Sequence, residues 1–141
     1  MSATQLSALA RTTDPHTALR RFLALDAVVT GANALAYLAL SGPLGRLFGV
    51  DRALLLALGG FLAVYAAAVG LLGSRARPAT LPVQAVVEAN LAWSALSCLA
   101  LALWLTPTAT GAVWAVLQAL TVAGFAVLQY AALRARQETS V

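Results

Sequence analysis

Four apolar stretches, each near twenty residues long, dominate the chain at residues 22–40, 53–72, 83–105 and 111–133. A helix rising ~1.5 Å per residue needs about that length to cross ~30 Å of hydrocarbon. Sequence breakers separate the stretches where turns are expected. Ser41-Gly42-Pro43 and Gly45 end the first, Pro78 and Pro82 bracket the second loop, and Pro107 sits in the third. The chain is 61% hydrophobic and 10% charged, with a mean hydropathy of +0.84. A soluble domain of this size has too little interior to bury so much apolar surface. The pattern predicts an all-α protein, a four-helix transmembrane bundle of up-down topology. Its expected partner is the lipid bilayer.

Arginine placement predicts the orientation. All nine basic residues are Arg. Arg11, Arg20, Arg21, Arg75, Arg77, Arg134 and Arg136 fall on one side of the four spans, with Arg46 and Arg52 on the other. The positive-inside rule then puts both termini and the second loop in the cytoplasm of a bacterial cell membrane. The expected divisions are a cytoplasmic segment over 1–19, the membrane domain over 20–136 and a short tail over 137–141. Residues 1–13 read as a tail, and Asp14-Pro15 as a helix cap followed by proline at the first helical position. Asp51 could similarly cap the second span. Trp104 and Trp114 flank the uncharged third loop, where an aromatic belt would sit. A cleavable signal peptide is the competing reading of the first span, but Asp26 and Asn33 within it argue for a retained helix.

Composition narrows the chemistry. One Cys excludes an intrachain disulfide or a CxxC pair, and the single His16 excludes multi-histidine metal sites. No cofactor or metal site is expected. The net charge of +4 lies in the flanks of apolar runs rather than in a basic stripe, so no nucleic acid is expected either. Cys98 reads as a packing residue. The glycine-rich run from Gly42 to Gly49 lacks phosphate-loop spacing and reads as a turn, with Leu47 and Phe48 dipping into the interface. Thr139-Ser140-Val141 also fits a C-terminal strand-adding peptide, a match too short to separate from chance.

Helical periodicity sorts the polar residues. Asp26, Thr30, Asn33 and Tyr37 share one face of the first span. Trp114, Gln118, Thr121, Phe125 and Gln129 form a stripe on the fourth. Asn90, Ser94 and Ser97 share a side of the third, with Gln84 and Glu88 almost opposite. The second span carries a small-residue face, Gly59, Ala63, Ala66 and Gly70, suited to close approach of a neighbouring helix. Neutral polar residues of this kind ordinarily join helices to one another. Asp26 and Glu88 stand apart, because a carboxyl group inside a membrane costs a few kcal/mol. They suit either interfacial snorkelling beside Arg20, Arg21 or Arg134, or an ionisable site for a proton or cation. The candidate polar site is therefore Asp26, Asn33, Glu88, Asn90 and Gln129. Asp26 is expected to face the interior beside Asn33 and Gln129, and Glu88 to lie at a helix–helix or protomer boundary.

Two echoes join the halves of the chain. Gly60-Phe61 with Tyr65-Ala66-Ala67 and Arg75-Ala76-Arg77 parallels Gly124-Phe125 with Tyr130-Ala131-Ala132 and Arg134-Ala135-Arg136. Ala32-Asn33 similarly parallels Ala89-Asn90. A duplicated hairpin and chance matching in Ala/Leu-rich spans both account for this.

Leu25-Asp26 early in the first span, Gly42-Pro43-Leu44 with Leu47-Phe48-Gly49 after it, Asn90 and Trp93 in the third span, and Gln129-Tyr130 before the last arginines carry a resemblance. The chain resembles small four-helix membrane proteins of actinobacteria and is similar in plan to the DoxX-like group. That resemblance covers most of residues 20–136 and implies a fold rather than an activity. Small multidrug exporters also have four short helices and a membrane carboxylate, but Asp26 lies nearer the span edge than theirs. The functional expectation is a non-enzymatic scaffold or accessory subunit, as a homodimer or in a larger membrane complex. A proton- or cation-coupled transporter using Asp26 and Glu88 is the alternative.

Overall fold

The first helix starts where proline and an acidic cap dictate. Asp14 accepts a hydrogen bond from the His16 amide at 3.3 Å, and Pro15 occupies the first helical position, where its missing N–H costs nothing. A computed structural model describes residues 14–139 and contains five helices among them, with no strands. They are α1 (Pro15–Ala39), α2 (Ser41–Phe48), α3 (Arg52–Ser74), α4 (Thr80–Leu103) and α5 (Ala109–Thr139). All but α2 are long and apolar enough to cross a membrane. The protein is an all-α, multi-pass membrane bundle. The tail over residues 1–13 and the last two residues of the C-terminal peptide lie outside the described residues.

Several boundaries differ from expectation, each for a local reason. α1 takes in residues 15–19 of the expected N-terminal segment, because Leu19 and Leu23, one turn apart, are both fully buried. Pro82 does not bracket a loop. It sits in the first turn of α4, where no helical donor is lost. The run from Gly42 to Gly49 is a two-turn helix, not a simple turn. Pro43 falls in its first turn, and Gly49 ends it at φ 71°, a left-handed conformation that favours glycine. Phe48 is buried under this cap while Leu47 is 51% exposed. Asp51 stands at the N-cap of α3 but makes no capping bond there.

The spans pack unevenly. α1 lies along α3, α4 along α5, and α1 against α5, whereas the consecutive helices α3 and α4 scarcely meet. Their seam is the open side of the bundle. α2 folds over the end opposite the arginine-rich one and touches α3 and α5. The Thr108 amide donates to Phe48 O at 3.0 Å, and the Thr108 hydroxyl to Leu47 O at 2.6 Å. At the arginine-rich end, Arg20 Nε donates to Gly73 O at 3.2 Å. Arg136, only 6% exposed, donates to Pro78 O and to Thr80 Oγ1, tying α5 to the start of α4.

The small face of α3 runs along α1. A Cβ placed on Gly70 would touch Ala27 Cβ at 3.6 Å, and one on Gly59 would stand 3.2 Å from Ala34 O. Ala66 is buried and Ala63 is half-buried against the core around Ala34. Ala63→Leu is therefore expected to cost roughly 1–3 kcal/mol by overpacking. Leu56→Ile, at an outward position, should be nearly silent in the same denaturation measurement. Equal tolerance at the two sites would put the α1–α3 contact elsewhere.

A buried polar clasp and an aromatic-walled cavity

Two apolar clusters divide the bundle interior. The one nearer the arginine-rich end joins Leu19, Leu23, Val69, Val83 and Leu133, each no more than 2% exposed. The other joins Ala34, Tyr37, Phe48, Leu55 and Leu62. Asp26 lies between them on α1 and is fully buried. Water does not reach it, so its oxygens need partners from the protein.

Four helices supply the network. Thr30 Oγ1 donates to Asp26 Oδ1 at 3.0 Å, while Asn90 Nδ2 of α4 and Gln129 Nε2 of α5 both donate to Asp26 Oδ2 at 2.8 Å. Asn90 Nδ2 also donates to Gln129 Oε1 at 3.1 Å. Tyr65 of α3 donates to Asn90 Oδ1 at 2.8 Å, its hydroxyl also lying 3.3 Å from Val86 O. One residue or more from every span therefore meets at a single point, and all the partners of Asp26 are neutral. This replaces the alternative of Asp26 snorkelling beside an arginine.

Asp26, Asn90 and Gln129 come together; the other two candidates do not join them. Asn33 is half-buried and lines a cavity next to the network. Its amide makes no hydrogen bond with any described residue. Glu88 is exposed on the outer side of α4, with Gln84 and Tyr130 around a shallow cleft of about 440 Å³ between α4 and α5. Glu88 and Asp26 thus lie on opposite sides of α4. Residues two positions apart on a helix do not share a face, and Asn90 claims the inward one.

Sequence patterning missed Tyr65 as a member of the cluster. It is the one polar side chain between the ends of α3, a signal that the small-residue stripe overshadowed. Trp114 faces inward instead of joining a belt: it donates to Tyr37 OH at 2.8 Å and stacks on Phe48 at 5.8 Å. Trp104 is 69% exposed, as an interfacial residue would be. Thr121 leaves the stripe, bonding to its own helix at Leu117 O. Cys98 is exposed, so it packs no core.

Above the clasp, Trp93 Nε1 donates to Gln118 Oε1 at 2.8 Å and Gln118 Nε2 to Ser97 Oγ at 3.1 Å. That pair separates two apolar cavities of about 240 and 290 Å³, which share Trp93, Leu96 and Gln118 as a common wall. The Phe61 ring stacks on Trp93 at 5.8 Å and on Tyr65 at 6.2 Å, spanning the α3–α4 seam. Among the described residues, no group of three or more His, Cys, Asp or Glu could hold a metal ion.

Comparison with family models, with curated proteins and with solved structures found no match for the chain. Its functional reading rests on its own geometry.

Proposed function

We propose that the chain is a non-enzymatic scaffold or accessory subunit of a bacterial membrane complex, with both termini in the cytoplasm. The observation that carries this reading is the closure of the Asp26 network on the helices themselves. Its three donors each come from the bundle, and the Leu19, Leu23 and Leu133 plug separates it from the arginine-rich end. Hydrogen bonds spent this way join helices rather than hold a travelling ion. A transporter in which Asp26 and Glu88 work together needs one cavity facing both, and their placement on opposite sides of α4 weighs against it.

Glu88 supplies the docking element in this reading. An acidic group turned toward lipid is costly, and a partner helix covering the cleft with Gln84 and Tyr130 would relieve that cost. Proteoliposomes loaded with a proton-sensitive dye are expected to leak no faster than empty vesicles. Extracts in mild detergent should hold the chain in an assembly larger than the monomer, and Glu88→Gln should reduce its size. A cation or proton flux that Asp26→Asn abolishes would overturn the scaffold reading. Reporter fusions after Val141 and within the third loop at Thr108 test the orientation, with cytoplasmic activity expected only after Val141.

A further inference from the structure

We propose that the cavity between α3 and α4 binds a neutral lipid, an apolar body carrying a hydroxyl or carbonyl group, through the amide of Asn33. The amide is the feature that demands a ligand. Inside a membrane each polar group needs an internal partner, because the surrounding hydrocarbon offers none. Asp26, Thr30, Tyr65, Asn90, Gln118 and Gln129 all have one. Asn33 has none among the described residues and lines the 240 Å³ cavity with Phe61 and Trp93.

The chemistry of the lining selects the ligand class. No charged side chain lines this cavity or the adjoining one of about 290 Å³. A charged headgroup placed there would lose its hydration without gaining a counter-charge. Water is a poor occupant too, since mostly apolar cavities stay dry. A side-chain amide both donates and accepts, which suits a hydroxyl or a carbonyl equally. The other polar groups of the lining, Thr30, Tyr65, Asn90 and Gln118, already have protein partners, and the rest of the wall is aromatic or aliphatic and suits the apolar body. Together the two cavities reach the size range of small-molecule sites. The outer one extends to Val50 and Pro107 at the α2 end and offers space for a tail.

Entry comes from the bilayer. α3 and α4 scarcely touch, and the stacked pair Phe61 and Trp93 bridges this seam and lines the cavity. Phe61 is 56% exposed, so a rotation of one ring opens the seam without separating the clasped helices.

Fluorescence quenching of Trp93 tests the proposal. The protein is placed in phosphatidylcholine vesicles containing either diacylglycerol or phosphatidylcholine with the same brominated acyl chains. Diacylglycerol is uncharged and carries one hydroxyl and two ester carbonyls. Quenching by the brominated diacylglycerol should exceed that by the phosphatidylcholine and should saturate. The excess should fall in Trp93→Phe and vanish in Trp93→Phe/Trp114→Phe, since both indoles line the cavities. Asn33→Leu should raise the half-saturating fraction by roughly 3- to 10-fold, the loss of one hydrogen bond. Asn33→Ala, which cannot overpack the cavity, should do the same, with helicity checked by circular dichroism for each variant. Equal quenching by the two lipids would mean that the seam holds only bulk lipid or water and would overturn the proposal. A preference that survives both Asn33 substitutions would overturn it equally.

Discussion

Asp26→Leu should destabilise the bundle by on the order of 3 kcal/mol, one of the two largest losses expected from a single substitution in the spans. The side chain is close in size, so packing is not the issue. The amides of Asn90 and Gln129 would each lose an acceptor inside a dry core, where the stranded donor carries its full desolvation cost. Asp26→Asn should be far milder, near 1 kcal/mol. Its carbonyl can take the place of Oδ2, accepting from Asn90 and Gln129, and its NH₂ then faces Thr30 Oγ1, which turns to accept. Glu88→Gln, at an exposed position, should leave the monomer unchanged. Folded fraction against denaturing detergent measures all three. If Leu were tolerated as well as Asn at position 26, the network would not be what joins the spans.

The second large effect is expected at Gly111. Helix propensity alone would favour alanine there by about 1 kcal/mol. Proximity reverses the sign. A Cβ on Gly111 would run into Phe48 O and fall 2.9 Å from Phe48 Cα, both backbone atoms that no rotamer change can move. Gly111→Ala should force α5 away from α2, break the Thr108 bonds to Leu47 and Phe48, and cost roughly 3 kcal/mol. Gly60 and Gly124 supply the controls, because a Cβ at either meets nothing within 4 Å. Alanine at those two positions should be neutral or slightly stabilising. Equal responses at the three glycines would show that the α2–α5 contact contributes nothing to stability.

Hydrophobic length and helical periodicity made the four spans and the inward face of α1 legible, because lipid leaves polar residues only one side to occupy. They also placed Asp26, Asn90 and Gln129 on faces that could converge. Periodicity does not carry the packing partner of each face, however. Asn33 shares the face of Asp26 yet looks into a cavity, and Thr121 shares a stripe with Gln129 yet turns outward. α2 was hidden for another reason. Ser, Gly and Pro in Ser41-Gly42-Pro43 signal a turn, and only the contacts of Phe48 and Gly45 with neighbouring elements make a short helix worthwhile. Tyr65 was missed because a single phenol in an apolar span gives no pattern to detect.

The clasp also sets an order of events during synthesis. Asp26 emerges early, whereas Asn90 follows 64 residues later and Gln129 103 residues later. At ribosomal rates of roughly 5–20 residues per second, α1 waits about 5–20 s for its final partner. Until α4 follows, α1 and α3 can already lie together along their small-residue face, while the carboxyl group has only Thr30 beside it; Asn90 then joins before Gln129. The newborn hairpin must therefore keep Asp26 near water, or against a protein of the insertion machinery, until α5 enters. A ribosome stalled before residue 129 would hold the chain in that state, and a crosslinker at position 26 would then capture whatever takes the place of Gln129.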